Sequence, residues 1–259
     1  MTMSSGVERR VSKALYPEGK YQAVVIDTIN ALQNNLYSDM MNGRKGTYDQ
    51  WKDFGIEIYE LYKWIKNLPD VVLVQVLGPE GTGKTVGAKY LDPESTQYFN
   101  ADGKPLSFFG AKKMYRDNVT PEEKAQGKRA NLRVPHDYDQ VKDWLGKIHQ
   151  ARRGTLVVFI LGHIENYNLP LGGVGQRLKV LGKQATKLGI EGLNVIHTYY
   201  TKIDSTYQPT DAQRYKLEVF NSGFNTARSP EGYWNGDIPN NYQLILERIL
   251  EDTGELEEK

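Results

Sequence analysis

Three stretches of the chain are apolar at almost every position yet too short for a helix of that character: 21–28 (YQAVVIDT), 71–77 (VVLVQVL) and 155–161 (TLVVFIL). Runs of this length, rich in Val and Ile, predict strands buried on both faces, as in a parallel sheet covered by helices. Between them the period changes. Trp51, Phe54, Ile58, Leu61 and Ile65 recur at helical spacing, predicting a helix over 48–66 with one face on the sheet. Val141, Trp144, Leu145 and Ile148 predict a second, with Asp139 as its cap. Further expectations are an amphipathic helix over 29–41, a short strand over 97–101, and a terminal helix burying Leu244, Ile245 and Ile249. Residues 193–200 and 215–221 read as strands that pair antiparallel at the far edge. Strands alternating with helices imply an α/β fold. The expected architecture is one domain over 1–259: a mostly parallel central sheet, helices on both faces and an antiparallel C-terminal edge.

The polar stretches complete this plan. Residues 1–20 read as an N-terminal extension, frayed over 1–6 and a short basic helix over 7–15, and 42–46 as a polar loop. The charged segment 112–133 reads as a surface excursion, and 252–259 as an acidic solvated tail. Residues 165–176 contain Pro170, Gly172, Gly173 and Gly175, which predicts a mobile loop without regular structure.

Composition narrows the chemistry. The 259 residues carry 33 Lys and Arg against 32 Asp and Glu, a net charge of +1, so any nucleic-acid contact must come from a local patch. The absence of cysteine excludes disulfides and thiolate metal sites. No apolar run reaches the length of a membrane span and residues 1–10 lack the apolar core of a secretory signal, so a soluble cytoplasmic protein is expected.

The 71–77 run ends in Gly78, Pro79, Glu80, Gly81, Thr82, Gly83, Lys84 and Thr85, which is GxxxxGK[ST]. That spacing lets backbone N–H groups surround the phosphates of a nucleotide, with Lys84 reaching the β- and γ-phosphates and the Thr85 hydroxyl ligating Mg²⁺. A helix beginning near Gly83 and continuing through Thr85, Val86, Ala88 and Tyr90 would add the field of its N-terminus. The 21–28 run ends in Asp27, a carboxylate at a strand end that can hold the same Mg²⁺, often through water.

Taken jointly, GPEGTGKT, VVIDTINALQ at 24–33, FNADGKP at 99–105, LGHIENY at 161–167, RLKVLGKQATKLGIEGL at 177–193, and ARSPEGYW with IPNN resemble the phage-encoded RecA-like ATPases associated with single-strand annealing and recombination. The resemblance implies Mg²⁺-dependent ATP binding and hydrolysis coupled to single-stranded DNA, in a chain that can form homo-oligomers. It places Asp102 at a strand end where an acid would orient the attacking water, although Asp102-Gly103 also reads as a plain turn, and Glu80 inside the loop is the rival base. His163, ending a strand that lies beside the phosphate loop in the implied sheet, either senses the γ-phosphate or serves as a structural hydrogen-bonding residue. Arg177, Lys179 and Lys183 could bind DNA phosphates, reach a neighbouring subunit's nucleotide, or form a solvated basic loop, and Tyr167 offers a face for base stacking. One departure stands out. In that family the phosphate loop precedes the VVIDT strand, whereas here it follows. The same spatial order can still form if the His163 strand lies between the two, giving a rearranged, non-cyclic chain order. A nucleotide-binding module with little turnover is the competing expectation, and a small-molecule kinase lacks a motif for its acceptor.

Overall fold

The computed structural model describes residues 21–41, 48–169, 172–180 and 195–256. The expectations for 1–20, the 42–46 loop and Lys183 lie outside these residues. Strand β1 (Ala23–Asp27) leads into helix α1 (Ile29–Met41), helix α2 (Tyr48–Lys66) and strand β2 (Val71–Leu77). A 3₁₀ turn (Thr85–Tyr90), β3 (Thr96–Asn100), short helices α3 (Ala111–Met114) and α4 (Pro121–Ala125), β4 (Leu132–Arg133) and helix α5 (Tyr138–Ala151) follow. The chain continues through β5 (Leu156–Gly162), β6 (Ile164–Asn168), β7 (Val174–Leu178), β8 (His197–Ile203), β9 (Tyr215–Glu218), β10 (Ile238–Pro239) and helix α6 (Tyr242–Asp252).

Eight strands form one sheet in the order β10-β9-β8-β2-β5-β1-β3-β4. From β8 to β4 every pairing is parallel; β8–β9 and β9–β10 are antiparallel. The fold is therefore α/β with a mostly parallel sheet and an antiparallel edge. Register brings the strand ends level: Leu77 pairs with Gly162, Ile26 with Ile160, and Asp27 with Asn100. The residues that follow these ends emerge along one edge of the sheet, where open α/β sheets bind ligands.

Strands β1, β5 and most of β2 are buried on both faces, as their nearly unbroken apolar character requires. Helices α1, α2 and α5 cover one face with Ile29, Leu32, Ile58, Leu61, Ile65, Val141, Leu145 and Ile148. Helix α6 covers the other through Tyr242, Ile245, Leu246, Ile249 and Leu250, together with Ala88 of the 3₁₀ turn and Leu91 just after it. Leu244 differs from expectation, being 37% exposed, because it falls off the stripe set by Tyr242, Ile245 and Ile249. The cap of α5 is Asp137, which accepts from the Gln140 N–H at 2.8 Å; Asp139 sits inside the first turn.

One other expectation is corrected, and two mostly exposed stretches, 112–133 and the acidic end, lie at the surface as expected but are tied down. Residues 165–176 are not an irregular loop: β6 and β7 pair as an antiparallel hairpin from Ile164–Leu178 to Asn168–Val174. Gly172 and Gly173, with φ of 91° and 94°, serve the turn rather than the strands. The 112–133 excursion is fastened down. The Asn131 side chain donates to Pro93 and Met114 carbonyls and accepts from the Arg116 N–H, while buried Tyr115 donates to the Ala88 carbonyl. Helix α6 also extends into the supposed tail, where Gly254 (φ 75°) reverses the chain and the Glu255 carboxylate accepts from the Thr155 N–H.

Candidate functional site

The glycine-rich loop leaves β2 at the level edge of the sheet, and its shape is fixed from several sides. Gly81 and Gly83 have φ of 74° and 90°, in the left-handed region. A Cβ on Gly78 would lie 1.9 Å from the Thr201 hydroxyl, and one on Gly83 would lie 2.5 Å from the Tyr215 ring. The Thr82 hydroxyl bonds the Pro79 carbonyl at 2.7 Å and meets the Thr201 hydroxyl at 2.6 Å, tying the loop to β8. From the helical face, Asn240 donates to the Gly83 carbonyl at 2.6 Å and the Tyr242 hydroxyl donates to the Lys84 carbonyl. Beyond the loop the expected α-helix is a six-residue 3₁₀ turn, in which the Val86 N–H bonds the Gly83 carbonyl at 2.9 Å. Gly87 lets Tyr242 pack against its backbone, and Leu91 is already extended. A helix N-terminus therefore contributes little, and anion affinity must come from the loop amides and Lys84.

Lys84 is 6% exposed, with its ammonium 2.7 Å from the Gly78 and Pro79 carbonyls and 3.4 Å from His163 Nδ1. Burial lowers its pKa from the usual lysine value to about 8, against the opposing pull of Asp27 and Glu80. His163 is shifted down by its own burial and by the Lys84 charge, so the neutral ring accepts from the ammonium. Asp27 is 5% exposed and takes hydroxyl hydrogen bonds from Thr85 at 2.9 Å and Tyr98 at 2.5 Å. Its burial raises the carboxyl pKa, and the two hydroxyls hold it down. Asp27 and Thr85 thus meet although β1 and β2 are not neighbours; β5 lies between them.

A cavity of about 360 Å³ opens over this cluster, with Lys84, Thr85, Asp27, Asn100 and Tyr215 on its walls. A second, of about 570 Å³, lies beside it towards α1 and the β6–β7 hairpin. Thr28, Glu80, Asp102, Lys104 and His163 line both. Asp102 follows β3, accepts from the Lys104 N–H at 3.0 Å and lies 3.3 Å from the Lys104 ammonium. Glu80 is exposed at the loop's outer turn.

The hairpin residues are placed differently. Arg177 lies 2.9 Å from the Glu165 carboxylate and 4.8 Å from the Tyr167 ring, so the hairpin itself engages both Arg177 and Tyr167. Lys179 joins the hairpin to the sheet edge through its backbone: its N–H donates to the His163 carbonyl at 2.7 Å. Asn30 closes this joint, accepting from the His163 N–H at 2.7 Å and donating to the Lys179 carbonyl at 2.7 Å.

Sequence reasoning missed Tyr98, Asn30, Lys104, Thr201, Asn240 and Tyr242. Four of them act through one hydroxyl or amide aimed at the loop or at Asp27, from positions far away in the chain, and only the assembled sheet reveals that. Asn30 and Lys104 each lie within three residues of a predicted acid, Asp27 or Asp102. That proximity was the available signal. Among the described residues no three or more His, Cys, Asp or Glu side chains cluster as a metal site, and no helix is long and apolar enough to cross a membrane. No family model, curated protein or solved structure matches the chain.

Proposed function

We propose that this chain is a Mg²⁺-dependent ATPase of RecA-like type, hydrolysing ATP and coupling that reaction to single-stranded DNA. The observation that carries the nucleotide part is the Thr85–Asp27 contact of 2.9 Å beside the buried Lys84. These two oxygens fit a hard divalent cation that keeps waters and shares phosphate oxygens, a site that needs no cluster of three acids. The strand order supports the rearranged RecA-like reading, since the His163 strand separates the phosphate-loop strand from the Asp27 strand.

Bound Mg²⁺ would neutralise charge on the β- and γ-phosphates. The chain's own residues do the rest. Lys84 exchanges its contacts with the Gly78 and Pro79 carbonyls for phosphate oxygens, and the loop N–H groups surround the anion. Asp102 orients water for in-line attack and takes its proton as the bond from the γ-phosphorus to ADP breaks. Glu80 is the alternative base, because it lines the same cavity. His163, touching Lys84 and heading the hairpin, links the γ-phosphate to the segment that would contact DNA.

Phosphate release from ATP with Mg²⁺, with and without single-stranded DNA, tests this proposal. Release stimulated by DNA and lost in Lys84→Ala is expected. Loss of about 10²-fold or more in Asp102→Asn, with a smaller loss in Glu80→Gln, assigns the base; the reverse ranking transfers the role to Glu80. Tight ATP binding without release, indifferent to DNA, would favour a nucleotide-binding module instead.

A further inference from the structure

The larger cavity has a chemistry of its own. Its wall away from the phosphate loop carries the side-chain amides of Asn34 on α1, Asn166 on β6 and Gln176 on β7. Asn34 and Asn166 are exposed and Gln176 is half-buried, so their carboxamides are accessible to a ligand in the cavity. Ala31, Pro79 and Ile164 supply the apolar parts of the lining. The ionic groups balance, with Glu80 and Asp102 against Lys104 and Lys179, and Lys104 lies 3.3 Å from Asp102. The cavity therefore offers no net positive field for a phosphate, so any recognition here falls on the uncharged part of a ligand. Carboxamides present paired donors and acceptors, which match the edge of a nucleobase, and apolar side chains suit its ring faces. At about 570 Å³ the cavity lies within the range that encloses a small organic ligand.

We propose that this cavity binds a nucleobase, held by Asn34, Asn166 and Gln176, directly beside the position of the γ-phosphate. Because the three amides come from a helix and both hairpin strands, the occupant bridges α1 to the hairpin. It does so over the joint in which Asn30 holds the His163 N–H and the Lys179 carbonyl. Occupancy is thereby felt at His163 and, through it, at Lys84. That coupling rests on the nucleotide site proposed above; the nucleobase site itself does not. The base can belong to a free nucleoside or to a single strand.

The test is calorimetric titration of the full chain, with and without Mg²⁺ and a non-hydrolysable ATP analogue. The titrants are the four deoxynucleosides and the four short homopolymeric deoxyoligonucleotides. One titrant should bind with the analogue already in place, and Asn34→Leu and Gln176→Leu should each weaken it about tenfold or more. A free nucleoside binding in this way identifies a soluble ligand; binding by the oligonucleotide alone identifies a base within a strand. Melting curves by circular dichroism confirm that each variant is folded, and Asn166→Leu replaces any that is not. The proposal is overturned if no titrant binds, if the analogue displaces the titrant, or if the variants bind undiminished. Failure of the analogue to bind, with nucleobase binding still lost in the variants, would sink the ATPase reading and leave this site standing.

Discussion

The phosphate loop and the β6–β7 hairpin leave the same edge of the sheet, yet they are held in opposite ways. The loop is clamped from outside itself: Thr201 on β8, Tyr215 on β9, and Asn240 and Tyr242 at the start of α6 all contact its backbone or its threonine. The hairpin is held mainly by itself, through its own ladder, the Arg177–Glu165 pair and the Arg177–Tyr167 contact. Its ties to the rest lie at its base and along β7. Leu178 and Ile164 pack into the core, the Tyr200 hydroxyl donates to the Gln176 carbonyl, and the Gln176 N–H bonds the Phe224 carbonyl. Asn30 closes the joint at His163 and Lys179. In the proposed function the loop holds charge in fixed geometry and is braced by several elements, whereas the hairpin is the segment that responds and its tip is held by its own ladder. The difference predicts where substitutions will be felt.

The largest effect should come from breaking the clamp. In Gly83→Ala the new methyl meets the Tyr215 ring, and the residue must hold a φ of 90° that only glycine adopts easily. Strain of about 1–3 kcal/mol is expected, which lowers nucleotide affinity about ten- to hundredfold if the loop relaxes out of shape. Gly81→Ala sharpens the point. Its φ is 74° but nothing lies within 4 Å of the added methyl, so strain alone remains and the loss should be smaller. Equal losses in the two variants, measured by calorimetric titration of ATP, would show that the Tyr215 clamp does not matter.

The same contrast explains what the sequence revealed. Continuous apolar runs announced β1, β2 and β5 because burial on both faces leaves no room for polar side chains. GxxxxGKT announced Lys84 and Thr85 as candidates because its spacing is fixed within one segment, and the acid ending VVI announced Asp27, which the sheet brings to Thr85. The hairpin was misread since its strands, IENYN and VGQRL, are mostly polar and lie beside glycines that look like loop. Only pairing between the strands satisfies their backbone, and pairing is not a local property. The 3₁₀ turn was misread for a related reason: Gly87 is needed where Tyr242 closes on the backbone, and that contact spans 155 residues of chain.

An intermediate effect should appear with pH. In the proposed function Lys84 binds phosphate as a cation, and burial brings its pKa to about 8, so the charge is present below that value and lost above it. ATP affinity should therefore hold below pH 8 and fall by up to about tenfold per pH unit above it, well before an exposed lysine would titrate. Since the phosphates favour the ammonium, binding near pH 9 should take up a proton. Calorimetry in buffers of different ionisation enthalpy reads that proton directly. A flat affinity up to pH 10 with no uptake would place the Lys84 charge outside the binding step.

The smallest effect should come from the hairpin. Arg177 and Glu165 are each about a quarter to a third exposed, so their ion pair is partly screened. It should contribute about 0.2–1 kcal/mol, and the Tyr167 contact about 0.5–1 kcal/mol. Arg177→Ala should lower the melting temperature only slightly, and a double-mutant cycle with Glu165→Gln should return a coupling in that range. Phosphate release without DNA should stay close to that of the parent chain, because no Arg177 contact reaches the phosphate loop. An arginine acting on a neighbouring subunit's nucleotide would behave otherwise. Release would then fall by orders of magnitude without loss of stability, and the parent's rate per chain would rise with protein concentration. That outcome would mean that Arg177 leaves Glu165 and Tyr167 on assembly, and that the hairpin's self-sufficiency belongs to the single chain alone.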